Sequence, residues 1–207
     1  MRRSRLTLLL ILALLVPAVP ASAEWFLDGY VGASLTHKDD FTFRAFGAEL
    51  ERDAEYRSSA VWGVRGGTWL TGIPWLGAAV DVSYFKPSAD VHVFPLTVLA
   101  LARYGFLPDE EFKEGRLHVY GGVGGGVFIS HLDGFLGRFR GSGTSLDIGL
   151  DTRVGASYRI ESNWALFAEY RFTHVSPSFD INAFNSTTEA DTTLNTSHFL
   201  IGVSYRF

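Results

Sequence analysis

The final stretch, residues 197–207, constrains the fold more than any other and reads SHFLIGVSYRF. Phe199, Ile201, Val203, Tyr205 and Phe207 fall on one face. His198, Gly202, Ser204 and Arg206 fall on the other, where Leu200 is the only apolar side chain. An alternation of period two belongs to a strand, because successive side chains point to opposite faces. A strand with one fully apolar face and one polar face needs neighbours that continue both surfaces.

Upstream the same alternation recurs. Trp25, Leu27, Gly29, Val31, Ala33 and Leu35 share a face in the first strand; Trp62, Val64 and Leu70 do so in the second, with Arg65, Gly67 and Trp69 opposite. The third sets Leu76, Ala78, Val80, Val82 and Tyr84 against Asp81 and Ser83, and the fourth sets Phe94, Leu96, Val98, Ala100 and Tyr104 against Thr97 and Arg103. Pro95 lies inside the fourth and cannot donate to a ladder, so a bulge or a local pairing defect is expected there. The fifth spans residues 116–130. The sixth, residues 145–160, puts Leu146, Ile148, Leu150, Val154, Ala156 and Tyr158 opposite Asp147, Asp151, Arg153, Ser157 and Arg159. The seventh sets Trp164, Leu166, Ala168, Tyr170 and Phe172 against Phe167, Glu169, Arg171 and Thr173. With the final strand this makes eight. Short turn signals at residues 71–74, 86–90, 108–115 and 161–163 and long polar stretches at 37–57, 131–144 and 176–195 separate them; the long stretches are expected to be loops.

Several strands reach the length that crosses a bilayer when tilted. With charges on the inner face and apolar residues outside, the pattern is the inverse of a soluble barrel built around an apolar cavity. The run Gly121-Gly122-Val123-Gly124-Gly125-Gly126 has neither the G-x-G-x-x-G spacing nor a following Gly-Lys-Ser/Thr, so it reads as curvature in a small barrel and not as a phosphate loop. Cysteine is absent, which excludes disulfides, zinc-thiolate sites and a Cys nucleophile.

Residues 1–23 form a separate object. Arg2, Arg3 and Arg5 precede an apolar run from Leu8 to Val16, and Ala21-Ser22-Ala23 has the A-x-A form of an export cleavage site. Cleavage leaves residues 24–207 as one barrel domain. Removing three Arg and no acids takes the formal charge from -4 to -7, which argues against a nucleic-acid partner.

The leader, the eight alternating strands, Gly-Val-Arg-Gly-Gly at residues 63–67 and Ser-Tyr-Arg-Phe at 204–207 together resemble the OmpA-type family of small outer-membrane barrels. The resemblance implies an all-β fold, an eight-stranded antiparallel transmembrane β-barrel preceded by a cleaved signal peptide. It implies outer-membrane lipid and lipopolysaccharide as surroundings. It also implies that Phe199, Tyr205 and Phe207 form the terminal aromatic signal read by the barrel-assembly machinery.

Two sets of residues carry chemistry. Asp28, Asp81, Asp147, Asp151 and Glu169 face inward with Arg65, Arg103, Arg153, Arg159, Arg171 and Arg206. In a lumen barely wide enough for side chains, these form either a structural salt-bridge core or a narrow gated channel. His174-Val175-Ser176 resembles the His-x-Ser element of lipid A 3-O-deacylases, which implies a Ser nucleophile and a His base on the outer wall. Pro177 stands where that pattern has Asn, and Asn195 and Ser197 stand roughly where its orienting Glu should be; Glu189 is further back. The alternative for this pair is interfacial polar residues. His37, His92, His118, His131 and His198 are not spaced as a metal set. The expected role is structural or adhesive, with an extracellular ligand met by the loops, no cofactor, no metal and no catalysis.

Overall fold

The computed structural model describes residues 24–45, 48–50, 57–88, 91–136, 139–176, 178–183 and 186–207, with side chains described over 24–37, 58–87, 91–131, 144–176 and 193–207. The expected leader, residues 1–23, lies outside them.

The alternating stretches form β1 (Glu24–Ala45), β3 (Arg57–Leu70), β4 (Ile73–Ser88), β5 (Val91–Phe106), β6 (Leu117–Leu136), β7 (Phe139–Arg159), β8 (Trp164–Val175) and β10 (Ser186–Arg206). Each pairs antiparallel with the next, and β1 pairs with β10 from Phe26↔Arg206 to Phe43↔Ala190. The sheet is therefore a closed eight-stranded barrel without a free edge. Two short strands, β2 (Ala48–Leu50) and β9 (Ser178–Ala183), fold back against the far ends of β1 and β10.

The ladders fix the barrel's size. The path Asp28↔Arg65↔Asp81↔Thr97↔Gly126↔Gly149↔Val175↔Leu194 returns to β1 at Lys38, a stagger of ten residues. Eight strands with that stagger tilt by about 40°, and the interior is just wide enough for side chains.

The faces follow the sequence period. Trp62, Val98, Ile148 and Ile201 are among the outward residues, and Ile148 is 85% exposed. Aromatic pairs mark both ends of this apolar wall. At the end holding the termini and short turns, Trp164 meets Tyr205 and Tyr104 meets Phe106, with ring centroids 4.8 and 4.9 Å apart. Towards the hairpin end Tyr84 meets Phe94 at 4.7 Å and Tyr170 meets Phe199 at 5.3 Å. Apolar walls bounded by aromatic girdles suit a bilayer and its two interfaces. Inside the wall, a Cβ at Gly122 would lie 2.5 Å from Leu101 Cδ2 and one at Gly126 2.6 Å from Thr97 Cγ2. The glycines of β6 thus leave room for β5 side chains to fill the lumen.

One expectation changes and another is narrowed. The stretches expected as loops are largely paired strand: β6 and β7 stay in register from Leu117↔Tyr158 out to Leu136↔Phe139, β1 continues to Ala45, and β9 and β10 run through the third stretch. Beyond the membrane both faces of a strand meet water, so the sequence loses its period there although the ladder continues. At Pro95 the second of the two expected outcomes holds, a local pairing defect without a bulge. The β5–β6 ladder passes through Pro95↔Phe128 unbroken, whereas the β4–β5 ladder goes from Val82↔Leu96 to Phe85↔Val93 in the same register and skips Pro95. The register shift falls later, between Phe85 and Ser88.

Candidate functional site

The period-two inward positions converge on a central ionic layer. Arg65 reaches Asp28 at 2.7 Å and Glu169 at 2.6 Å. Arg153 bridges Asp151 at 2.6 Å and Asp81 at 3.0 Å, and Arg171 holds Asp81 at 3.0 Å and Glu169 at 3.4 Å. Tyr30 and Tyr120 donate their hydroxyls to Asp81 at 2.7 Å and Glu169 at 2.9 Å. Arg171 also stacks on the Tyr30 ring at 4.8 Å and Arg65 on Phe167 at 5.3 Å. Every carboxylate here has a guanidinium, which is what a buried charge requires. The linked residues come from β1, β3, β4, β6, β7 and β8, so the layer ties the barrel across its width.

A second layer lies at the turn end. Glu24 accepts from Arg103 at 2.6 Å and from Arg159 and Arg206 at 2.5 Å each. Below it, the turn between β5 and β6 tucks Phe112 inward, 4% exposed, with Arg116 and Arg159 stacked on its ring at 4.6 and 5.5 Å. Asp109 orders that turn: its Oδ1 accepts from the amides of Glu111 at 3.0 Å and Phe112 at 2.7 Å, and its Oδ2 from Arg116 Nε at 2.7 Å. These bonds hold the Asp109 carboxyl below its ordinary value of 3.8, the Phe112 amide contributing most and Arg116 next.

Above the central layer the lumen turns apolar. Val61 lies four positions further out than Arg65 on β3, Phe85 four beyond Asp81, and Val175 four beyond Arg171; with Val93, Phe128 and Leu194 they form one buried cluster. His198 sits at the boundary, bonded to Thr173 at 3.1 Å and edge-on to Phe85 at 4.8 Å.

Of the eleven charged residues expected inside, ten join these two layers. Asp147 shares their face but sits above them, half-buried, accepting from Ser145 Oγ at 2.5 Å; three residues separate it from Asp151, the nearest network acid on its strand. Its absence from the network is a correction, caused by β7 running on past the charged layers. Glu24, which binds three of the expected arginines, was not among the expected residues, because it begins its strand and has no alternating neighbour before it. Phe112 was hidden within a stretch that reads as a charged turn.

His174 and Ser176 face outward near the hairpin end. His174 Nδ1 donates to the amide oxygen of Asn195 at 2.7 Å, and Ser176 Oγ lies 3.4 Å from Thr193 Oγ1. Among the described residues no group of three or more His, Cys, Asp or Glu is placed to hold a metal.

The outer membrane protein beta-barrel domain family matches residues 7–207. The chain belongs to that family. Among solved structures, OprG from Pseudomonas aeruginosa superimposes with a TM-score of 0.66 at 14% identity, over 89% of this chain and 96% of that one. Neisserial surface protein A gives 0.59 at 17% identity over 88% and 97%, and AlkL in DMPC bilayers gives 0.52 at 15% over 92% and 94%. At these identities the likeness is one of fold. No curated protein matches the chain.

As an outer-membrane barrel, the protein directs its short turns to the periplasm and its long hairpins to the cell exterior. The Glu24 layer and Phe112 therefore close the periplasmic mouth, and the apolar cluster lies on the extracellular side of the central charges. On the terminal strand, Phe199 and Phe207 are exposed to lipid at 55% and 70%, and Tyr205 packs between Trp164 and Phe207 at 4.8 and 4.9 Å.

Proposed function

We propose that this protein is a sealed outer-membrane barrel that works through its extracellular hairpins, in a structural or surface-binding role. The observation that carries this is the lumen: two ionic layers, an apolar cluster and the Phe112 turn occupy it from the periplasmic mouth to the extracellular half. An ion crossing it would have to displace paired charges and then an apolar layer. What remains available to a partner is the paired ribbon that β6 and β7 extend to Leu136↔Phe139, with the far ends of β1 and β10 beside it. Contact with lipopolysaccharide on the outer wall and recognition of the terminal strand by the assembly machinery belong to the same proposal.

The test has two parts. In planar bilayers the refolded protein should show no conductance steps, and regular steps that change on Arg153→Ala would replace this reading with a gated channel. Shortening the β6–β7 ribbon by removing residues 132–143 should leave heat-modifiable migration intact and lower the adherence of expressing cells to matrix-coated surfaces. Unchanged adherence would sink the surface-binding role of that ribbon.

A further inference from the structure

A cavity of about 20 Å³ lies in the periplasmic half of the lumen, with walls drawn from both ionic layers. That is room for one water-sized particle. Five lining residues carry polar atoms with no protein partner: Arg103 Nη1, Arg206 Nε, both ring nitrogens of His118, Ser157 Oγ and Asp28 Oδ1. All five are more than nine-tenths buried, from Arg103 at 7% exposed to His118 at 2%. Donors outnumber acceptors. Arg103, Arg206, Ser157 and neutral His118 each offer a proton, against Asp28 Oδ1 and the second His118 nitrogen.

Charge points the same way. In the central layer Arg65, Arg153 and Arg171 meet the carboxylates of Asp28, Asp81, Asp151 and Glu169. In the periplasmic layer Arg103, Arg159 and Arg206 share the single carboxylate of Glu24. The next acid there, Glu114, reaches Arg103 at 3.5 Å from the exposed rim. The central layer has one carboxylate more than guanidinium, so across both layers six arginines face five carboxylates, and the remaining excess of one cation in a buried place is costly unless a negative group joins it.

We infer that this cavity binds a monatomic monovalent anion, chloride in ordinary media, held by Arg103, Arg206, His118 and Ser157. Chloride accepts from all four and supplies negative charge at the periplasmic layer, while Asp28 Oδ1, which it cannot bond, stays on the wall that belongs to the central layer. A water molecule matches the size and leaves the charge uncompensated; a tetrahedral oxyanion or a carboxylate is too large. The bound ion would fix the arginine layer above Phe112 and so stabilise the closed periplasmic mouth.

The test uses refolded wild-type protein in detergent micelles, with chloride exchanged for gluconate at constant pH and ionic strength. The unfolding midpoint should rise with chloride by about 3–5 °C per tenfold increase above the dissociation constant. Bromide should replace chloride, and gluconate should not. Ser157→Ala, which removes one donor and no charge, should move this dependence to higher chloride. Crystals of the wild type grown in bromide should show an anomalous peak between Arg103, His118 and Arg206. A midpoint indifferent to chloride, or bromide found on the outer surface alone as an adventitious ion only, overturns the site and leaves the cavity to water.

Discussion

Arg65 Nη1 donates to Glu169 Oε2 at 2.6 Å across the lumen, joining β3 to β8 over 104 positions of sequence. Both side chains are almost fully buried, at 3% and 0% exposed. Glu169→Ala therefore leaves Arg65 with Asp28 as its one carboxylate and removes a partner from Arg153, Arg171 and Tyr120 as well. The expected loss is about 3–5 kcal/mol, the usual cost of breaking a buried pair from one side. Arg65→Met with Glu169→Met should cost less than the sum of the two single Met changes, since the pair is then lost once, although Asp28 loses its guanidinium whenever Arg65 is replaced. Urea unfolding of the refolded barrel, followed by tryptophan fluorescence, measures both; strictly additive losses would show that the pair is not coupled.

How much of this was legible depended on where water lies. Within the bilayer each strand has one face on lipid and one on the lumen, so Trp25 to Leu35 alternate without error, and parity alone put the eleven charges on the inner face, ten of them in the network. Above it, β6 and β7 remain paired where a strand no longer has lipid on one side, and the stretch that looks like a loop is a paired ribbon over residues 131–136 and 139–144. Glu24 and Phe112 were invisible for a different reason. One starts a strand and the other sits in a turn, so neither belongs to a periodic series, and their roles arise from contacts between segments far apart in sequence, such as Glu24 with Arg206.

The Phe112 turn should respond to acid. Asp109 lies outside the membrane, and its folded pKa is lowered by the Phe112 amide first and by Arg116 second. A depressed carboxylate contributes stability that is present above its ordinary value of 3.8 and is lost as pH falls through the lower folded value. Hydrogen exchange at the Phe112 amide should therefore accelerate below pH 3.8, beyond the intrinsic pH dependence of exchange, while the barrel ladders stay protected. Asp109→Ala should show fast exchange at neutral pH already. Equal protection of that amide in the variant and the wild type would mean that Asp109 does not hold the turn.

Neighbouring glycines on β6 should differ sharply. A Cβ at Gly122 would meet Leu101 Cδ2 at 2.5 Å and both Ala100 O and Arg153 Cγ at 3.2 Å, whereas one at Gly121 would meet just Arg153 O at 3.6 Å. Gly122→Ala forces Leu101 and Arg153 to give way inside a filled lumen, an overpacking cost of about 1–3 kcal/mol. Gly121→Ala points to lipid and should be near neutral. Comparing the urea midpoints of the two variants decides the matter, and equal midpoints would contradict the assignment of faces on β6.

Lipid A should be unchanged by expression of this protein. A serine nucleophile needs a histidine base that can carry positive charge, and a carboxylate behind the imidazole stabilises that charge. Here the group behind His174 is the neutral amide of Asn195, at 2.7 Å, and Ser176 Oγ has Thr193 Oγ1 at 3.4 Å as its partner. An amide orients the ring, yet it adds no negative charge, so among the described residues the imidazolium formed during attack has no counter-ion behind it. Mass spectrometry of lipid A from expressing cells, beside Ser176→Ala at equal level, reads the outcome directly. Identical acyl patterns are expected. Loss of one ester-linked chain that returns in the Ser176→Ala strain would make this an esterase in which Asn195 suffices to position the base, and the hairpins would then serve the outer wall instead of a surface partner.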